Sequence, residues 1–339
     1  MEFDRRRVAF RFAVALALVA ALLYGVGWER VASNLRDADA AVFAVAVLTS
    51  LVGLFVSSEG VRVVLDLPPR TRGGSVARRA ALAAMFVRGV VPAGNVGGGA
   101  FIAYTVSKTD EADVSECVAG VASWEFLNMV ASATVAAVGV VGNVGNGRDV
   151  GAAPVALAAF TGMLGLVLVA GRAVASRRER VVDLVLWVSA LTRRTVGRLY
   201  PGLDDRLDRE SVREGLDGFF DSVGTLARDR RRLAATLLAA HVAGLFGALP
   251  LYFCLEAVGL ASSLFVVMLT MPLAGFALAI PIPGGIGTMD AAIGGLLVFL
   301  TGHPLGVLAS TLVLFRLATY GVHVLVGGLA LWTLDETVR

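Results

Sequence analysis

The stretch that decides the fold is Val91-Pro92-Ala93-Gly94-Asn95-Val96-Gly97-Gly98-Gly99, which interrupts an apolar segment at residues 81–106. Proline and glycine are costly inside a helix, because proline lacks an amide hydrogen and glycine loses the most backbone entropy. Broken backbone at membrane depth is tolerated only where it is buried in protein or lines a cavity. If the segment lies in a membrane, it predicts a hairpin that enters and returns to the same side.

The composition places this segment in a membrane. The chain has 339 residues, of which 57% are hydrophobic and 17% are charged, and its mean hydropathy is +0.76. A soluble domain carries about 25% charged residues, so an ordinary soluble enzyme is excluded. A disordered chain is excluded as well, because disorder requires low hydrophobicity and high net charge. The composition is typical of a polytopic membrane protein.

The net charge of +3 does not indicate nucleic-acid binding, because nearly all the positive charge is arginine placed between apolar stretches. That distribution is what the positive-inside rule produces. The two cysteines, Cys117 and Cys254, each stand alone in an apolar run. A zinc site needs several clustered ligands, so we expect no metal, no disulfide and no cofactor.

Arginine-rich loops orient the first apolar segments. Residues 1–11 hold four arginines and precede an apolar stretch at 12–27 without a convincing cleavage site. We interpret this stretch as an uncleaved span that enters from the cytoplasm. A second span is predicted at 40–65, and the loop 66–79 carries four more arginines, so it should also be cytoplasmic.

The number of crossings then requires the hairpin. Apolar stretches at 81–106, 116–141 and 152–171 precede a polar segment at 172–232 that contains 14 arginines. If both basic regions are cytoplasmic, an even number of crossings separates them, and three full spans would break this parity. A hairpin at 81–106 restores it. The segment 172–232 is predicted to be a cytoplasmic helical linker.

The second half repeats the arrangement of the first. Spans are predicted at 233–258 and 305–332, with a broken segment at 262–300 between them, in which residues 280–290 read IPIPGGIGTMD. Paired Gly/Pro breaks at corresponding positions indicate the binding site of an inverted-repeat transporter. The alternative is two unrelated helix kinks.

We therefore predict an all-α polytopic membrane protein with six to eight spanning helices and two re-entrant hairpins in an inverted repeat. The predicted parts are an N-terminal membrane half at 1–171, the linker at 172–232 and a C-terminal membrane half at 233–339. Both termini are expected on the cytoplasmic side of the cell membrane.

Two ionisable residues lie near the middle of predicted spans, namely Glu125 and Arg316. Such residues are costly in a membrane and usually functional. Each lies on a polar stripe at helical spacing, which continues to Asn128 in one span and to Tyr320 in the other. The stripes predict a shared interior cavity; the alternative is a structural ion pair between Glu125 and Arg316.

Each break also places the start of a helix inside the membrane. A helix that restarts inside the membrane points its unpaired amides and positive dipole end into the cavity, where they favour phosphate or carboxylate. Thr288 is predicted to cap the second such helix, and Asp290 is either part of the cap or a proton or substrate ligand. The candidate substrate-binding residues are Arg88, Pro92, Gly94, Asn95, Gly97, Gly98, Glu125, Asn128, Pro283, Gly284, Gly285, Gly287, Thr288, Asp290, Arg316 and Tyr320.

These motifs resemble those of the flippase-like membrane domain of lysylphosphatidylglycerol synthases. Residues 91–104 are similar to its Pro-Gly-x-x-Gly-Gly…Ala-Tyr motif, and residues 283–290 are similar to its second Pro-Gly-Gly-x-Gly motif, with Asp290 where glutamate is usual. Glu125 matches its Glu-Arg motif, although Phe126 replaces the arginine. Arg316 falls where the family keeps an arginine in its last helix. The resemblance implies a lipid-translocating or lipid-binding protein, without lysyl transfer, since no transferase domain follows Trp332.

The leading expectation is a flippase for a lipid with an anionic headgroup, either a phospholipid or a polyprenyl-phosphate-linked sugar. The chain has no Walker motif, so ions, protons or a downhill gradient would drive movement. A second reading is a membrane glycosyltransferase that uses a polyprenyl-phosphate sugar, with Asp37 and Asp39 as its acidic pair. A third is a non-transporting partner that presents lipid to a separately encoded enzyme.

Overall fold

The computed structural model describes residues 36–67, 71–91, 94–109, 113–147, 151, 158, 161–162, 165, 209–279 and 282–338. Within these residues the secondary structure is helical and no strand occurs, which confirms the all-α prediction. The predicted first span at 12–27, most of the stretch at 152–171 and the first part of the linker lie outside the described residues.

The helices follow in chain order. They are α1 (Ala40–Val64), α2 (Arg72–Val90), α3 (Gly94–Val106), α4 (Val114–Gly145), α5 (Arg209–Arg228), α6 (Arg230–Ala257), α7 (Leu264–Ala274), α8 (Thr288–Thr301), α9 (Leu305–Arg316) and α10 (Val322–Val338). Four candidate membrane spans are found among the described residues: α1, α4, α6 and the combined segment Leu305–Leu334. The segments Leu264–Leu278 and Thr288–Thr301 are apolar but shorter.

Each half of the membrane region has the same order of elements, a span, a broken hairpin and a second span. In the first half, α2 and α3 pack against each other, and the 3-10 turn Ser107–Thr109 at the far end of α3 still contacts α2. In the second half, α7 packs against α8 in the same manner. We call the link between α2 and α3 the first break, and the link between α7 and α8 the second break.

The two halves pack on each other in antiparallel pairs. The start of α1 meets the end of α6, where the amide of Asp39 donates to the carbonyl of Ala257 at 2.9 Å. At the opposite end, Arg232 at the start of α6 lies 3.5 Å from Asp66, just after α1. The hairpin of each half also packs on the last span of the other half, α2 against α10 and α7 against α4.

Glycine permits these reciprocal contacts between hairpin and span. A Cβ added to Gly139 of α4 would lie 2.7 Å from the backbone nitrogen of Leu269 in α7. A Cβ added to Gly327 of α10 would lie 2.7 Å from the backbone nitrogen of Phe86 in α2. Small residues at such crossings let helix backbones approach closely in membranes.

The equivalence of the halves extends to their residue numbering. Pro92 and Pro283 are 191 positions apart (283 − 92), and Glu125 and Arg316 are separated by the same interval (316 − 125). Each of the latter two residues lies about three turns into the second span of its half, α4 or α9. Antiparallel pairing of equivalent elements is the arrangement that an inverted repeat produces.

Candidate functional site

The second break is built from glycines in a backbone conformation that other residues rarely adopt. Gly284, Gly285 and Gly287 have φ values of 61°, 60° and 83°. Side chains with a Cβ are disfavoured in this left-handed region, so the run of glycines is what allows the turn. As a result, the carbonyl groups of Gly284 and Gly285 point toward the last span, where they accept hydrogen bonds.

Arg316 closes the second break, and we call this arrangement the Arg316 clamp. Its Nε and Nη2 donate to the two carboxylate oxygens of Asp290 at 2.7 and 2.9 Å. Its Nη1 and Nη2 donate to the carbonyls of Gly284 and Gly285, both at 2.9 Å. Charged groups removed from water need such full pairing, because desolvation is costly. The guanidinium is thus committed to the protein's own groups.

Asp290 also completes the start of α8. Its Oδ2 accepts a hydrogen bond from the amide of Gly287 at 2.8 Å, which is the return half of a capping box. The prediction that Thr288 caps this helix is wrong. Thr288 is the first helical residue, and its hydroxyl donates to the carbonyl of Gly285 at 3.3 Å. Of the two roles considered for Asp290, the structure shows the cap, combined with the ion pair to Arg316.

The first break has a different pair. Arg88, near the end of α2, donates from Nη2 to Oε1 of Glu125 in α4. Its side chain runs across the start of α3, since a Cβ added to Gly98 would lie 2.7 Å from the Cγ and Nε of Arg88. A Cβ added to Gly94 would lie 2.4 Å from the carbonyl oxygen of Val87. The glycines of α3 therefore make room for the arginine and for the backbone of α2.

The sequence allowed a direct ion pair between Glu125 and Arg316, and this alternative is wrong. Glu125 pairs with Arg88, and Arg316 pairs with Asp290. Each residue bonds to the hairpin of its own half, and the sign of the charge is reversed between the halves. The two pairs are each neutral overall.

The two pairs differ in their exposure and in whether the donors of the arginine are all hydrogen-bonded. The side chains of Arg316 and Asp290 are 9% and 15% exposed, whereas those of Arg88 and Glu125 are 24% and 43% exposed. The Nε of Arg88 is buried and has no hydrogen-bond partner. The pair at the first break is therefore open and incompletely bonded, and the Arg316 clamp is closed.

Tyr320 brings the two breaks together. Its hydroxyl donates to the carbonyl of Gly89, next to Arg88 in α2, at 3.3 Å. Its ring packs on the second break, because a Cβ added to Gly284 would lie 2.5 Å from the Cε2 of Tyr320 and 3.3 Å from the carbonyl oxygen of Gly89. The breaks meet in direct packing at this residue.

A π turn positions Tyr320. Residues Leu317–Gly321 form five residues of π-helix between α9 and α10, directly after Arg316. Such turns insert extra backbone into a helix and occur often at functional sites. The polar stripe from Arg316 to Tyr320 rests on regular α-helical spacing, which does not predict the π turn between these two residues.

The remaining predicted residues are placed as follows. The side-chain Nδ2 of Asn128 donates to the backbone carbonyl of Trp124, one turn earlier in α4, at 3.0 Å. A Cβ added to Gly97 would contact nothing within 4 Å, so this glycine faces open space. Outside the described part of the structure lie Pro92 and the side chains of Asn95 and Pro283.

A cavity of about 670 Å³ lies away from the breaks, between the end of α1, the start of α4 and α5. Its lining includes Asp66, Glu116 and Arg232, and it contains none of the predicted substrate-binding residues. The hollow that the two polar stripes predicted between the breaks is not this cavity. The acidic loop residue Asp39 caps α1, where its Oδ1 accepts from the amides of Ala41 and Val42.

Sequence reasoning missed the partners that the backbone supplies. The carbonyls of Gly89, Gly284 and Gly285 each accept a side-chain hydrogen bond in this region. Spacing carries no signal for such contacts. The interval that relates Pro92 to Pro283 was, however, present in the sequence and relates Glu125 to Arg316 as equivalents.

The architecture is that of a polytopic membrane protein with one broken hairpin in each half and an ionisable pair at each break. The family model for the lysylphosphatidylglycerol synthase transmembrane region matches residues 8–327, and the chain belongs to this family. The search of curated proteins gives no match to the chain.

Proposed function

We propose that this protein binds a lipid with an anionic headgroup at the first break and moves that headgroup across the membrane. The membrane location and a family related to lipid handling are established by the match to residues 8–327 and by the four apolar spans. The observation that carries the finer proposal is the open Arg88–Glu125 pair, laid across the glycine-rich start of α3.

Two sources of positive potential converge at this point. The N-terminal turn of a helix exposes amide groups and the positive end of its dipole, a combination that favours phosphate. Arg88 adds a guanidinium beside that turn, with its Nε still free of any partner. Arginine binds phosphate by several parallel hydrogen bonds, which gives both strength and orientation.

The glycines allow a headgroup to reach these amides. A Cβ at Gly97 would contact nothing within 4 Å, and the atoms nearest to a Cβ at Gly98 belong to the Arg88 side chain. A side chain at either position would stand between the ligand and the backbone. In this proposal the lipid tails remain in the bilayer while the phosphate contacts α3 and Arg88.

In this proposal the second break forms one side of the site and keeps its own hydrogen bonds when the headgroup binds. The guanidinium of Arg316 makes four hydrogen bonds to the protein, so binding a headgroup there would require most of them to break. Tyr320 links the second break to the first through the hydrogen bond from its hydroxyl to the carbonyl of Gly89. We therefore assign headgroup binding to Arg88 and a structural role to Arg316.

A lipid-movement assay tests the proposal. The purified protein is reconstituted into vesicles with a fluorescent phosphatidylglycerol, and transfer between leaflets is followed by chemical quenching of the outer leaflet. We expect Arg88→Ala to reduce transfer at least tenfold while Arg230→Ala, which removes the same charge at an exposed site, has no effect. Equal transfer in all three proteins would overturn the assignment.

The same variants separate transport from lipid presentation. If the wild type binds anionic lipid with a requirement for Arg88 but transfers none, the protein is a lipid-presenting partner of another enzyme. Copurification with a lipid-modifying enzyme would then be the expected companion result. A lipid that is transferred without any partner supports the flippase.

The re-entrant path of α2 and α3 is part of the proposal and has its own test. Cysteines placed at the exposed positions Arg72 and Lys108 should react from the same side of the membrane, in a background that lacks the buried Cys117 and Cys254. A cysteine at Asn146, at the other end of α4, should react from the opposite side. Labelling of positions 72 and 108 from opposite sides would exclude the re-entrant path.

A further inference from the structure

We infer that binding of an anionic headgroup at Arg88 is coupled to uptake of one proton by Glu125. The inference rests on the proposed function, because it concerns the same site. It follows from the charge balance of the open pair and from the geometry that holds Glu125 on Arg88.

The pair is neutral before any ligand arrives. Arg88 contributes one positive charge and Glu125 one negative charge, and the two side chains are hydrogen-bonded to each other. A phosphate that accepts two parallel hydrogen bonds from the guanidinium uses Nη2 together with Nε or Nη1, so it competes with the carboxylate at Nη2. Binding without a proton would leave two negative charges beside one positive charge at membrane depth, where an unpaired charge is costly.

No other described group is placed to neutralise Glu125. Among the described residues, Arg88 is its ion-pair partner within 4.0 Å, and α7 carries no ionisable residue. Four ionisable groups on the other elements packed against α4 have partners of their own. Glu59 of α1 pairs with Arg62, and Arg232 of α6 pairs with Asp66. His241 of α6 bonds to the carbonyl of Leu237, and Lys108, just after α3, lies over the ring of Tyr104. Helix α5 lies at the start of α4, where Gly218 meets Ser115.

A proton restores the balance. When the headgroup replaces the carboxylate on Arg88, Glu125 takes one proton from water and becomes a neutral carboxylic acid. The site then holds one guanidinium, one phosphate and one neutral acid, so its net charge is again zero. Release of the lipid returns the proton to water and reforms the Arg88–Glu125 pair. The Glu125 side chain is 43% exposed, so the protein does not enclose it.

The second break cannot perform this exchange. Both carboxylate oxygens of Asp290 are bonded to Arg316, and Oδ2 also accepts from the amide of Gly287. A proton on Asp290 would break the clamp and the cap of α8 together. The coupling is therefore assigned to Glu125 alone among the acidic residues at the two breaks.

The experiment measures binding of phosphatidylglycerol to the full chain in detergent between pH 5 and pH 8. The phosphodiester of this lipid stays ionised throughout, so any pH dependence belongs to the protein. Wild-type affinity should fall by up to about tenfold per pH unit as pH rises, since one proton is bound with each lipid. Proton uptake in weak buffer should approach one per lipid.

Matched variants separate the outcomes. Glu125→Gln should bind tightly at every pH with no proton uptake, and Glu125→Asp should restore the pH dependence. Binding by the wild type that requires Arg88 but shows neither pH dependence nor proton uptake would overturn the coupling and leave the proposed function intact. If neither the wild type nor Glu125→Gln shows binding that depends on Arg88, both proposals fail.

Discussion

The two breaks occupy equivalent places in the halves of the molecule, but their ion pairs are opposite in sign and in openness. In the second half, the arginine lies on the span and the acid on the hairpin, and four hydrogen bonds enclose the pair. In the first half, the acid Glu125 lies on the span and the arginine Arg88 on the hairpin, and the pair reaches the accessible surface.

This difference is the reason why the proposed function assigns headgroup binding to Arg88 and not to Arg316. A buried arginine is a poor candidate for headgroup binding when its donors are already used, because each bond to a ligand replaces an existing one. Arg88 retains an unpartnered Nε, whereas Arg316 is held by Asp290 and two carbonyls. The proposed function therefore assigns headgroup binding by the donors that remain unpaired and not by the depth of the arginine in its span.

Among the variants that test this comparison, Arg316→Ala should have the largest effect on stability. The substitution leaves Asp290 buried and unpaired and frees the carbonyls of the second break, and breaking a buried pair costs about 3–5 kcal/mol. We expect loss of the folded, monodisperse protein in detergent, measured by thermal unfolding and size exclusion. Arg88→Ala should destabilise the protein less than Arg316→Ala does, because the Arg88–Glu125 pair is more exposed and makes fewer hydrogen bonds.

An Arg316→Ala protein that folds normally and loses only lipid transfer would reverse the assignment of the two arginines. Asp290→Ala provides a second measurement of the same clamp. It should destabilise the protein to a similar degree, because it leaves the guanidinium without its acid and removes the cap of α8.

The next effect tests whether the halves depend equally on close packing. Gly139→Ala and Gly327→Ala each place a Cβ 2.7 Å from the backbone of the opposite hairpin, and overpacking of this kind costs about 1–3 kcal/mol. We expect both variants to unfold at lower temperature than the wild type. Gly247→Ala in α6 is the control, because its Cβ would contact nothing within 4 Å and alanine favours a helix.

A smaller effect is expected at the residue that joins the breaks. Tyr320→Phe keeps the ring on Gly284 but removes the hydroxyl that donates to Gly89, a loss of about 0.5–1.5 kcal/mol. Thermal unfolding measures the stability, and the vesicle assay measures transfer. If Tyr320 couples the second break to headgroup binding at the first, the transfer rate should fall by more than the loss of folded protein accounts for. An unchanged transfer rate would show that the two breaks act independently.

The smallest effects are expected from substitutions of Asp37 and Asp39, which distinguish a transporter from a glycosyltransferase. Asp39 caps α1, and asparagine caps a helix about as well as aspartate, so Asp39→Asn should change stability by a few tenths of a kcal/mol. Asp37→Asn should also be nearly neutral. Normal lipid transfer by both variants is expected. Loss of a sugar-transfer activity in both, with folding retained, would favour the enzyme.

Much of the fold was predictable because its signals are local. Runs of apolar residues indicated the four candidate spans found among the described residues. Pro92 and Pro283 indicated the breaks, because the backbone cost of proline and glycine in a helix does not depend on a partner. The pairing of Arg88 with Glu125 was not predictable from spacing. The partner of a buried charge depends on which helix packs beside it, and both α2 and the last span carry an arginine.

The clamp illustrates a second limit of sequence reasoning. Asp290 was assigned to the first turn of a helix correctly, but its bond to Arg316 depends on three glycines with positive φ and on the carbonyls that they turn outward. The π turn after Arg316 also escaped the pattern, because an inserted backbone residue changes the direction of side chains without changing the composition.

The antiparallel pairing of the halves has a consequence for how the proposed site would meet the two leaflets. The halves of an inverted repeat face opposite leaflets, so identical halves would offer the same site to lipids from either side. Here the open pair belongs to one half and the closed pair to the other. Under the proposed function we therefore expect the affinity for the headgroup to differ between the two leaflets, while the lipid and proton gradients set the net direction of movement.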